Sequence, residues 1–345
     1  MGLREYIVRR IIMVIPIMLG VVVLIFAVLQ LVPVTARAAV YVTDPKQFTM
    51  LPQIAQQYGL YDPIHIQFFR WINEVLHGNL GASAVDEGMP VVQGLLERLP
   101  ATAEIVIFSA PFIIVFGIWL GTVSAVNRDK VPDHLSRVGS ILFTSLPSFF
   151  FGILLIAITQ SFGWPFSGRL TNVAAYYGAI NAGRFHPYTG LMTIDGLLNG
   201  NLGITVDALR HLILPALVLI FIQSATMVRV TRSSMLEALS KTYIVAARAK
   251  GLSRKETIYK HARRNALIPV ITISGLLVGG MLTGLTITET VFSFGGIGQW
   301  AARSAILLDV AVVFAYAMFS ALIFVLANLI VDILYAYIDP RIRLG

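Results

Sequence analysis

The chain has 345 residues, of which 57% are hydrophobic and only 13% charged, with a formal net charge of +8. Soluble domains carry about 25% charged residues, so this composition excludes a soluble globule, which could not cover its surface with so few charges. The absence of cysteine excludes a disulfide scaffold, a zinc–thiolate site and a thiol nucleophile. Because the apolar residues are clustered in long runs, the chain is predicted to be an all-α polytopic membrane protein.

Six apolar segments are long enough to cross a bilayer as helices, which need about 20 residues each. The first, residues 11–34, follows Arg4, Arg9 and Arg10 and so begins like a secretory signal. Its apolar core exceeds the roughly 7–15 residues of a signal, so we expect it to remain as the first transmembrane helix. The other five spans are predicted at residues 101–126, 138–160, 211–230, 266–288 and 310–337.

The basic residues predict which side of the membrane each segment faces. Arg128, Lys130 and Arg137 crowd into the short loop after the second span, and ten more lysines and arginines lie between residues 229 and 264. Short loops rich in Lys and Arg stay in the cytoplasm, so both termini are predicted to be cytoplasmic. The positive balance is therefore a topology signal, and no nucleic-acid partner is expected.

This topology divides the chain into three parts: the N-terminal tail with the first span (residues 1–34), an extracytoplasmic loop (35–100) and a five-helix core (101–345). The core includes a basic cytoplasmic loop over residues 231–265. A second outer loop, over about 162–208, is rich in Gly, Asn and Tyr, shows little periodicity and receives no predicted role.

The first outer loop contains a predicted amphipathic helix. Asp62 is expected to cap its free amides, with Pro63 at its first position and Gly78 just beyond its end. The helix is expected to pack against other loops, the alternative being the membrane surface. Its apolar stripe consists of Phe68, Trp71, Ile72, Val75 and Leu76.

The cytoplasmic loop carries the strongest local signals. Ser234 to Glu237 and Ser253 to Glu256 both have the spacing of a capping box, which starts a helix. Gly251 lies between them, where it is suited to end the first helix in a left-handed turn, so two helices with a sharp break are predicted. The first helix ends in alanines among cations, and small side chains let another protein approach closely. We interpret it as a docking element; the alternative is an ordinary topology determinant.

The sequence lacks the motifs of catalysis. It contains no phosphate-binding G-x-x-x-x-G-K-[ST] loop, no metal-ligand spacing of histidines and no G-x-S-x-G nucleophile motif. No cofactor, metal site or catalytic residue is predicted, and His211 and His261 are interpreted as hydrogen-bonded interfacial histidines. Four acidic residues near span ends are expected to reach water and form no proton relay: Glu104, Glu289, Asp309 and Asp332.

Small and polar residues mark the fourth and fifth spans. The fifth contains two small-x3-small spacings, Gly275 with Gly279 and Gly280 with Gly284, which allow another helix to approach closely. One interpretation is that this span lines a polar path or a subunit interface. The alternative is that its glycines only allow close packing within the chain. The candidate pathway-lining residues are polar positions of these two spans: Gln223, Ser224, Thr283, Thr286 and Thr288.

Two segments of the cytoplasmic loop follow each other in a recognisable order: Tyr243-Ile244-Val245-Ala246-Ala247-Arg248-Ala249-Lys250-Gly251-Leu252 and His261-Ala262-Arg263-Arg264-Asn265-Ala266-Leu267-Ile268-Pro269. They resemble the "EAA" loop of permease subunits of ABC importers, in the dipeptide, oligopeptide and nickel branch. Shorter matches cover nearly the whole chain except about 36–55 and 165–205, among them Gly59-Leu60-Tyr61-Asp62-Pro63, Leu146-Pro147-Ser148-Phe149, His211-Leu212-Ile213-Leu214-Pro215 and Asp339-Pro340-Arg341-Ile342-Arg343.

The sequence departs from the family's pattern at three places, which comprise four residues. Val245 stands where the general EAA pattern has glutamate, and Gly295 stands where the family usually has proline. Val310-Ala311 replaces a usual Tyr-Pro pair. The last two departures are expected to loosen the loop before the final span without changing the assignment.

The resemblance implies a type I ABC importer permease fold and a set of partners: a second, similar permease, two ATP-binding cassette ATPases and an extracytoplasmic solute-binding protein. It implies that the EAA loop forms a coupling helix that fits a groove on an ATPase. The coupling residues are then Tyr243, Ala246, Ala247, Arg248, Ala249, Lys250, Gly251 and Leu252. ATP hydrolysis is expected on the separate ATPases, in agreement with the missing phosphate-binding loop.

The function that follows is half of a translocation pathway for short peptides across the cell membrane, working by alternating access. Oligosaccharides, nickel or other small solutes are alternative cargoes for the same architecture. A stand-alone secondary transporter or channel is the alternative from another class, and transport without any ATPase partner would favour it. A single permease does not identify the solute, because selectivity largely resides in the binding protein.

Overall fold

The computed structural model describes residues 3–42 and 45–338, and this part of the chain contains helices and no strand. One isolated backbone bridge joins Ala82 to Pro90. The all-α prediction is therefore confirmed. The segment Asp339-Pro340-Arg341-Ile342-Arg343 and the predicted cytoplasmic C-terminus lie outside the described residues.

The helices in chain order are α1 (Leu3–Leu29), α2 (Val34–Ala38), α3 (Leu51–Gln57), α4 (Ile64–Leu76), α5 (Val91–Val126), α6 (Val131–Ser145), α7 (Ser148–Gln160), α8 (Val173–Asn181), α9 (Met192–Leu198), α10 (Leu202–Ser240), α11 (Thr242–Ala249), α12 (Arg254–Glu256), α13 (Arg263–Leu282), α14 (Thr286–Val291), α15 (Ile297–Ile306) and α16 (Val310–Ile338). Two 3-10 turns, Ala39–Tyr41 and Pro45–Met50, lie in the first outer loop. A π-helical turn, Thr257–Ala262, joins α12 to α13.

Five helical stretches in the described chain are long and apolar enough to cross a membrane: α1, α5, α10, the continuous stretch Arg254–Leu282, and α16. The third predicted span is divided into α6 and α7, which are bent by 99° relative to each other. The bend occurs because Leu146 precedes Pro147, whose ring pushes it out of the helical region to ψ 124°. Counted as one span, the bent pair completes the predicted six.

Helices α5 and α10 are longer than the apolar runs that predicted them. With 36 and 39 residues they reach roughly 54 and 58 Å at 1.5 Å per residue, whereas a bilayer's hydrocarbon core is about 30 Å thick. Their polar terminal turns therefore continue beyond the membrane, which is why the apolar pattern placed their ends too far inward.

The closest contact between α5 and α10 is made by glycines. A Cβ atom on Gly117 would lie 2.2 Å from Met227 Cβ, and one on Gly121 would lie 2.5 Å from Thr231 Cβ. The two long helices approach closely because nothing larger than hydrogen separates them there. They form the centre of the apolar core, with Met227 and Ile113 completely buried.

The first glycine pair of the fifth span packs within the chain. Cβ atoms on Gly275 and Gly279 would lie 2.1 Å from Val331 Cγ2 and 2.3 Å from Ala327 Cβ, both on α16. The close approach predicted for these glycines is confirmed, and its partner is the chain's own last helix. Gly280 has no heavy atom within 4 Å of such a Cβ, so that side of α13 is open.

The amphipathic helix of the first outer loop is α4. Its N-cap is Pro63 with no side-chain cap, so the prediction that Asp62 caps it is wrong. The Asp62 carboxylate binds Arg70 Nη2 at 3.1 Å instead. Phe68 and Trp71 pack on Phe26 of α1 with ring centroids 5.1 and 5.4 Å apart. These members of the stripe are therefore packed, but against the first span and not against another loop as predicted.

The second outer loop has more structure than its sequence indicated. Asn172 caps α8 by accepting a hydrogen bond from Ala175 N–H, and Asn201 caps α10 in the same way. The loop folds over its own small apolar cluster, in which Tyr176 and Phe185 pack edge to face. These short helices were missed because they are too short to establish a helical period.

Candidate coupling site

The loop predicted to be cytoplasmic, residues 231–265, forms the predicted break between two helices, but its first helix begins elsewhere. Ser234 lies inside α10, which continues to Ser240, so the predicted helix start at Ser234 is wrong. The chain leaves α10 at Lys241, whose backbone is extended (ψ 151°), and then forms α11. α11 ends before Gly251, whose φ of +82° confirms the predicted left-handed turn.

The second helix begins with the predicted capping box. Glu256 N–H donates to Ser253 Oγ at 3.2 Å, and Ser253 N–H donates to Glu256 Oε2 at 3.1 Å. Ser253 and Glu256 therefore satisfy two backbone donors reciprocally, as the motif requires. The capping box fixes the direction in which the chain leaves the turn at Gly251.

One face of α11 is buried and the other is exposed. Ile244 and Ala247 are 1% and 8% exposed. Ile244 packs in an apolar cluster with Met235 of α10 and Ile258 of the π-helical turn. The eight predicted coupling residues differ in their exposure in the same way. Ala247 is buried, Leu252 is half-buried, and the exposed ones are Tyr243, Ala246, Arg248, Ala249, Lys250 and Gly251. We call this exposed set the coupling surface.

Two transmembrane elements meet at the coupling surface. α10 leads into α11 through the single residue Lys241, and the stretch Arg254–Leu282 continues from the capping box into the fifth span as one 29-residue helix. The π-helical turn lies in this stretch, and turns of this kind are frequent at functional sites. α11 is therefore joined to the fourth span through Lys241 and to the fifth span through the turn at Gly251.

An ion pair above the coupling surface ties α10 to α6. Arg232 Nε and Nη2 donate to the two oxygens of Asp133 at 2.7 and 2.8 Å. The Asp133 carboxylate is fully buried and also accepts from Ser124 Oγ at 2.5 Å and from Asp129 N–H at 3.0 Å. Sequence reasoning missed this pair, although Arg232 close to the end of an apolar span was a usable signal.

The opposite end of the bundle is held by buried carboxylates. Glu104 is 1% exposed; it accepts from Arg169 Nη2 at 2.7 Å and from both Thr193 N–H and Thr193 Oγ at 2.8 Å. This network ties α9 and the second outer loop to α5. Glu104 was expected to reach water, and that expectation is wrong because protein donors occupy both of its oxygens.

Two further carboxylates at this end are buried among neutral donors. Glu289 is 0% exposed and accepts from Thr102 Oγ at 2.6 Å and from Gln299 N–H at 2.8 Å. Asp309 is 1% exposed and accepts from Ser83 Oγ at 2.6 Å. The expectation of water contact is wrong for both. Asp332 differs, since it remains about one-third exposed beside Arg10 at 3.1 Å.

The two histidines singled out by the sequence occupy different settings. His211 is 3% exposed and fully hydrogen-bonded: Nε2 lies 3.1 Å from Thr171 Oγ1 and Nδ1 lies 3.1 Å from Gly168 O, which confirms its interpretation. His261 lies in the π-helical turn and is half-buried. Within the described residues, no group of three or more His, Asp or Glu side chains is arranged to hold a metal ion.

The five candidate pathway residues are dispersed. Ser224 is buried, and its Oγ lies 3.5 Å from Ile113 O; Gln223 is half-buried. Thr283 donates to Gly280 O at 2.7 Å, Thr286 is half-buried and Thr288 is 5% exposed. Among the described residues, none of the five is hydrogen-bonded to another of them. Their role as pathway lining stays a prediction.

Ser224 also borders a large apolar groove. The groove lies between α5, α6 and α10 and has a volume of about 700 Å³. Aromatic side chains dominate its walls: Phe108, Phe112, Phe116, Trp119, Phe143 and Phe221. Such a surface suits lipid chains or another apolar helix better than a polar solute.

Comparison with known proteins gives full-length matches. Residues 113–344 match the family described as "Binding-protein-dependent transport system inner membrane component", and residues 3–106 match the N-terminal region of such membrane components. The chain is 37% identical to the dipeptide transport system permease protein DppB of Escherichia coli K12, over 98% of each chain. It is 39% identical to the di/tripeptide permease DppB of Pseudomonas aeruginosa, again over 98% of each, and 34% identical to the oligopeptide permease AppB of Bacillus subtilis, over 99% of this chain and all of the other.

Proposed function

Since the chain belongs to the family of binding-protein-dependent transport system inner membrane components, we propose that it is the permease subunit of an ATP-driven importer that carries short peptides. It is a multi-pass protein of the inner membrane and a transport subunit, not an enzyme. Peptides are supported as cargo because the dipeptide, di/tripeptide and oligopeptide permeases described above are similar over essentially their full length.

The importer requires further subunits, and we propose four. A second, similar permease completes the pathway, two ATPases bind beneath it, and a solute-binding protein delivers peptides to the outer end. The coupling surface supports this arrangement most directly. It presents small and cationic side chains on a helix whose other face is buried against both α10 and the π-helical turn. A groove on an ATPase would receive this surface.

The connections of α11 support a route from ATP binding to the spans. When the ATPases close, α11 moves with them, and its two continuations pull on α10 and on Arg254–Leu282. The Asp133–Arg232 pair passes the movement of α10 to α6. ATP binding thereby favours one of two arrangements of the spans, which is alternating access.

The decisive experiment is transport by the purified complex. The tagged chain would be co-purified with its partners, reconstituted in proteoliposomes and supplied with binding protein, labelled dipeptide and ATP. We expect uptake that requires ATP and is inhibited by unlabelled peptides, with oligosaccharide and nickel as non-competing controls. Uptake without ATPase subunits would overturn the ATP-driven mechanism. ATP-dependent uptake in which only oligosaccharide or nickel competes would overturn the cargo.

A further inference from the structure

A buried arginine without a counter-ion lies at the outer end of α1. Arg37 of α2 is 7% exposed, and its Nη1 donates to Gln30 Oε1 at 2.7 Å and to Gln67 Oε1 at 2.9 Å. Both acceptors are neutral amides, and no carboxylate among the described residues pairs with Arg37. Its Nε is buried and lacks any hydrogen-bond partner within the described chain.

This arrangement is energetically unfavourable as it stands. A buried charge is expensive unless it is paired, and a buried donor without an acceptor adds to that cost. Burial lowers the pKa of Arg37, yet a guanidinium remains protonated at neutral pH. An anion at this position would compensate the charge and accept the free Nε–H.

The surroundings provide a cavity for such an anion. A pocket of about 40 Å³ lies beside Arg37 and is also lined by Arg70, Tyr41 and Tyr58. The rings of Tyr41 and Tyr58 stack with centroids 4.0 Å apart and form one wall. A water molecule needs roughly 10–15 Å³ by the same measure, so the pocket holds about three water-sized groups, enough for the phosphorus and the two non-bridging oxygens of a phosphodiester.

The carboxylates of this region are already engaged. Asp62 binds Arg70, and Glu74 accepts from the amide of Asn79 at 2.7 Å. Arg70 is half-exposed, donates Nη1–H to Tyr58 O at 2.8 Å and lines the pocket. Because a guanidinium carries five N–H groups, these two bonds leave some of its donors available. Two guanidinium groups that converge on one cavity form the usual receptor for phosphate.

The position of the pocket identifies the source of the phosphate. Leu29 and Gln30, at the end of the membrane-crossing α1, form part of its wall, and Trp71 of α4 forms another part. Tryptophan and tyrosine concentrate at membrane–water interfaces, at the depth of lipid headgroups. The exposed apolar side chains along α1 offer a surface for the acyl chains of the same molecule.

We propose that the Arg37 pocket binds the phosphate of an anionic phospholipid from the leaflet at the outer end of α1. The lipid neutralises Arg37 and accepts its unpartnered Nε–H, and its headgroup links α2 to α4. The proposal depends only on the membrane location of the chain and not on which solute is transported.

The test measures lipid binding by the full-length chain in nanodiscs. One set of discs contains phosphatidylcholine alone, a second adds phosphatidylglycerol, and a third is phosphatidylcholine with millimolar inorganic phosphate in solution. The variants are Arg37→Gln and, as a matched control, Arg184→Gln, which alters an exposed arginine of the second outer loop. The readouts are phosphatidylglycerol retained per chain by native mass spectrometry and the temperature of unfolding.

We expect the wild type and the control to retain phosphatidylglycerol about tenfold more strongly than Arg37→Gln, the effect of one charge-assisted hydrogen bond. In phosphatidylcholine alone, the headgroup's own choline cation offsets its phosphate, so the charge of Arg37 is poorly compensated. There Arg37→Gln should unfold at the same temperature as wild type or higher, because it removes that charge. A purely structural role for Arg37 would instead destabilise the variant equally in every lipid.

Three results would overturn the proposal. The first is equal phosphatidylglycerol retention by all variants, and the second is equal destabilisation of Arg37→Gln in all discs. The third is full stabilisation of the wild type by inorganic phosphate alone, which would make the site one for the free ion. If Arg37→Gln fails to insert, Arg70→Gln replaces it, and its unchanged lipid retention would equally reject the site.

Discussion

The two ends of the helical bundle hold their peripheral helices by different kinds of contact. At the outer end, Glu104 binds α9 through two hydrogen bonds from Thr193, and Glu289 binds α15 through one from Gln299 N–H and α5 through one from Thr102 Oγ. At the coupling end, α11 is attached by the apolar side chain of Ile244, which packs against Met235, Ala238 and Ile258. Hydrogen bonds fix orientation, whereas apolar contacts tolerate small shifts. The difference indicates a rigid outer end and a coupling end that can move as a unit.

The largest loss of stability is expected when the buried Glu104–Arg169 ion pair at the outer end is removed. Glu104→Ala leaves Arg169 in a mostly buried site without its partner, and breaking a buried ion pair costs about 3–5 kcal/mol. The free energy of unfolding in detergent, followed by circular dichroism, should fall by that amount. Glu97→Ala, an exposed position on the same helix, is the control and should change it by less than about 0.5 kcal/mol. Equal losses would show that the outer end is not held by Glu104.

The next effect concerns the link between α6 and α10. Asp133→Asn keeps the shape of the side chain but removes its charge-assisted bonds to Arg232, worth about 1.5–3 kcal/mol. Peptide uptake should fall more than ATP hydrolysis, because the ATPases still close while α6 no longer follows α10. A double-mutant cycle with Arg232→Gln isolates the pair. Additive losses in uptake would contradict the link.

A smaller effect is expected at the turn before the capping box. Gly251→Trp places a bulky side chain at φ +82°, a left-handed conformation that costs other residues about 1–2 kcal/mol, or about 5–30-fold in population. A Cβ here meets no atom of the chain within 4 Å, so membrane insertion should be normal. Uptake should decline relative to ATP hydrolysis. Gly251→Asn, which tolerates this conformation, is the control, and unchanged uptake in Gly251→Trp would count against docking.

The smallest effect is expected for the cap itself. Ser253→Ala removes an N-cap hydrogen bond, which is worth about 1 kcal/mol. Because the cap is local, hydrogen exchange should accelerate in the first turn after Ser253 and remain unchanged at the outer end. Ser233→Ala, at an exposed position in α10, should alter neither. Accelerated exchange at both ends would mean that they are more strongly coupled than their contacts indicate.

The sequence predicted those features that depend on neighbouring residues. The six apolar segments, the turn at Gly251 and the capping box at Ser253 are all set within a few positions of the chain. The same spacing at Ser234 did not predict a helix start correctly, because Ser234 lies inside α10. The backbone N–H groups there are already hydrogen-bonded within that helix and need no cap. A capping box starts a helix only where the preceding chain is not helical.

Contacts between distant residues could not be predicted in this way. Glu104 binds Thr193, which is 89 positions away, and Asp309 binds Ser83, 226 positions away. Nothing near either carboxylate in the sequence indicates its donors, so both were assigned to water. The Asp133–Arg232 pair was missed for the same reason, since 99 positions separate its members.

The bend of 99° between α6 and α7 makes these two helices nearly perpendicular. A shift of α6 along its own axis is therefore a shift of α7 perpendicular to its axis. α6 is bound to α10 by the Asp133–Arg232 ion pair. α7 packs against α14 at Gly152, where an added Cβ would lie 3.1 Å from Val291 Cγ1. The same α14 carries Glu289, so one bent pair of helices connects the Asp133–Arg232 ion pair to the buried carboxylate at the outer end.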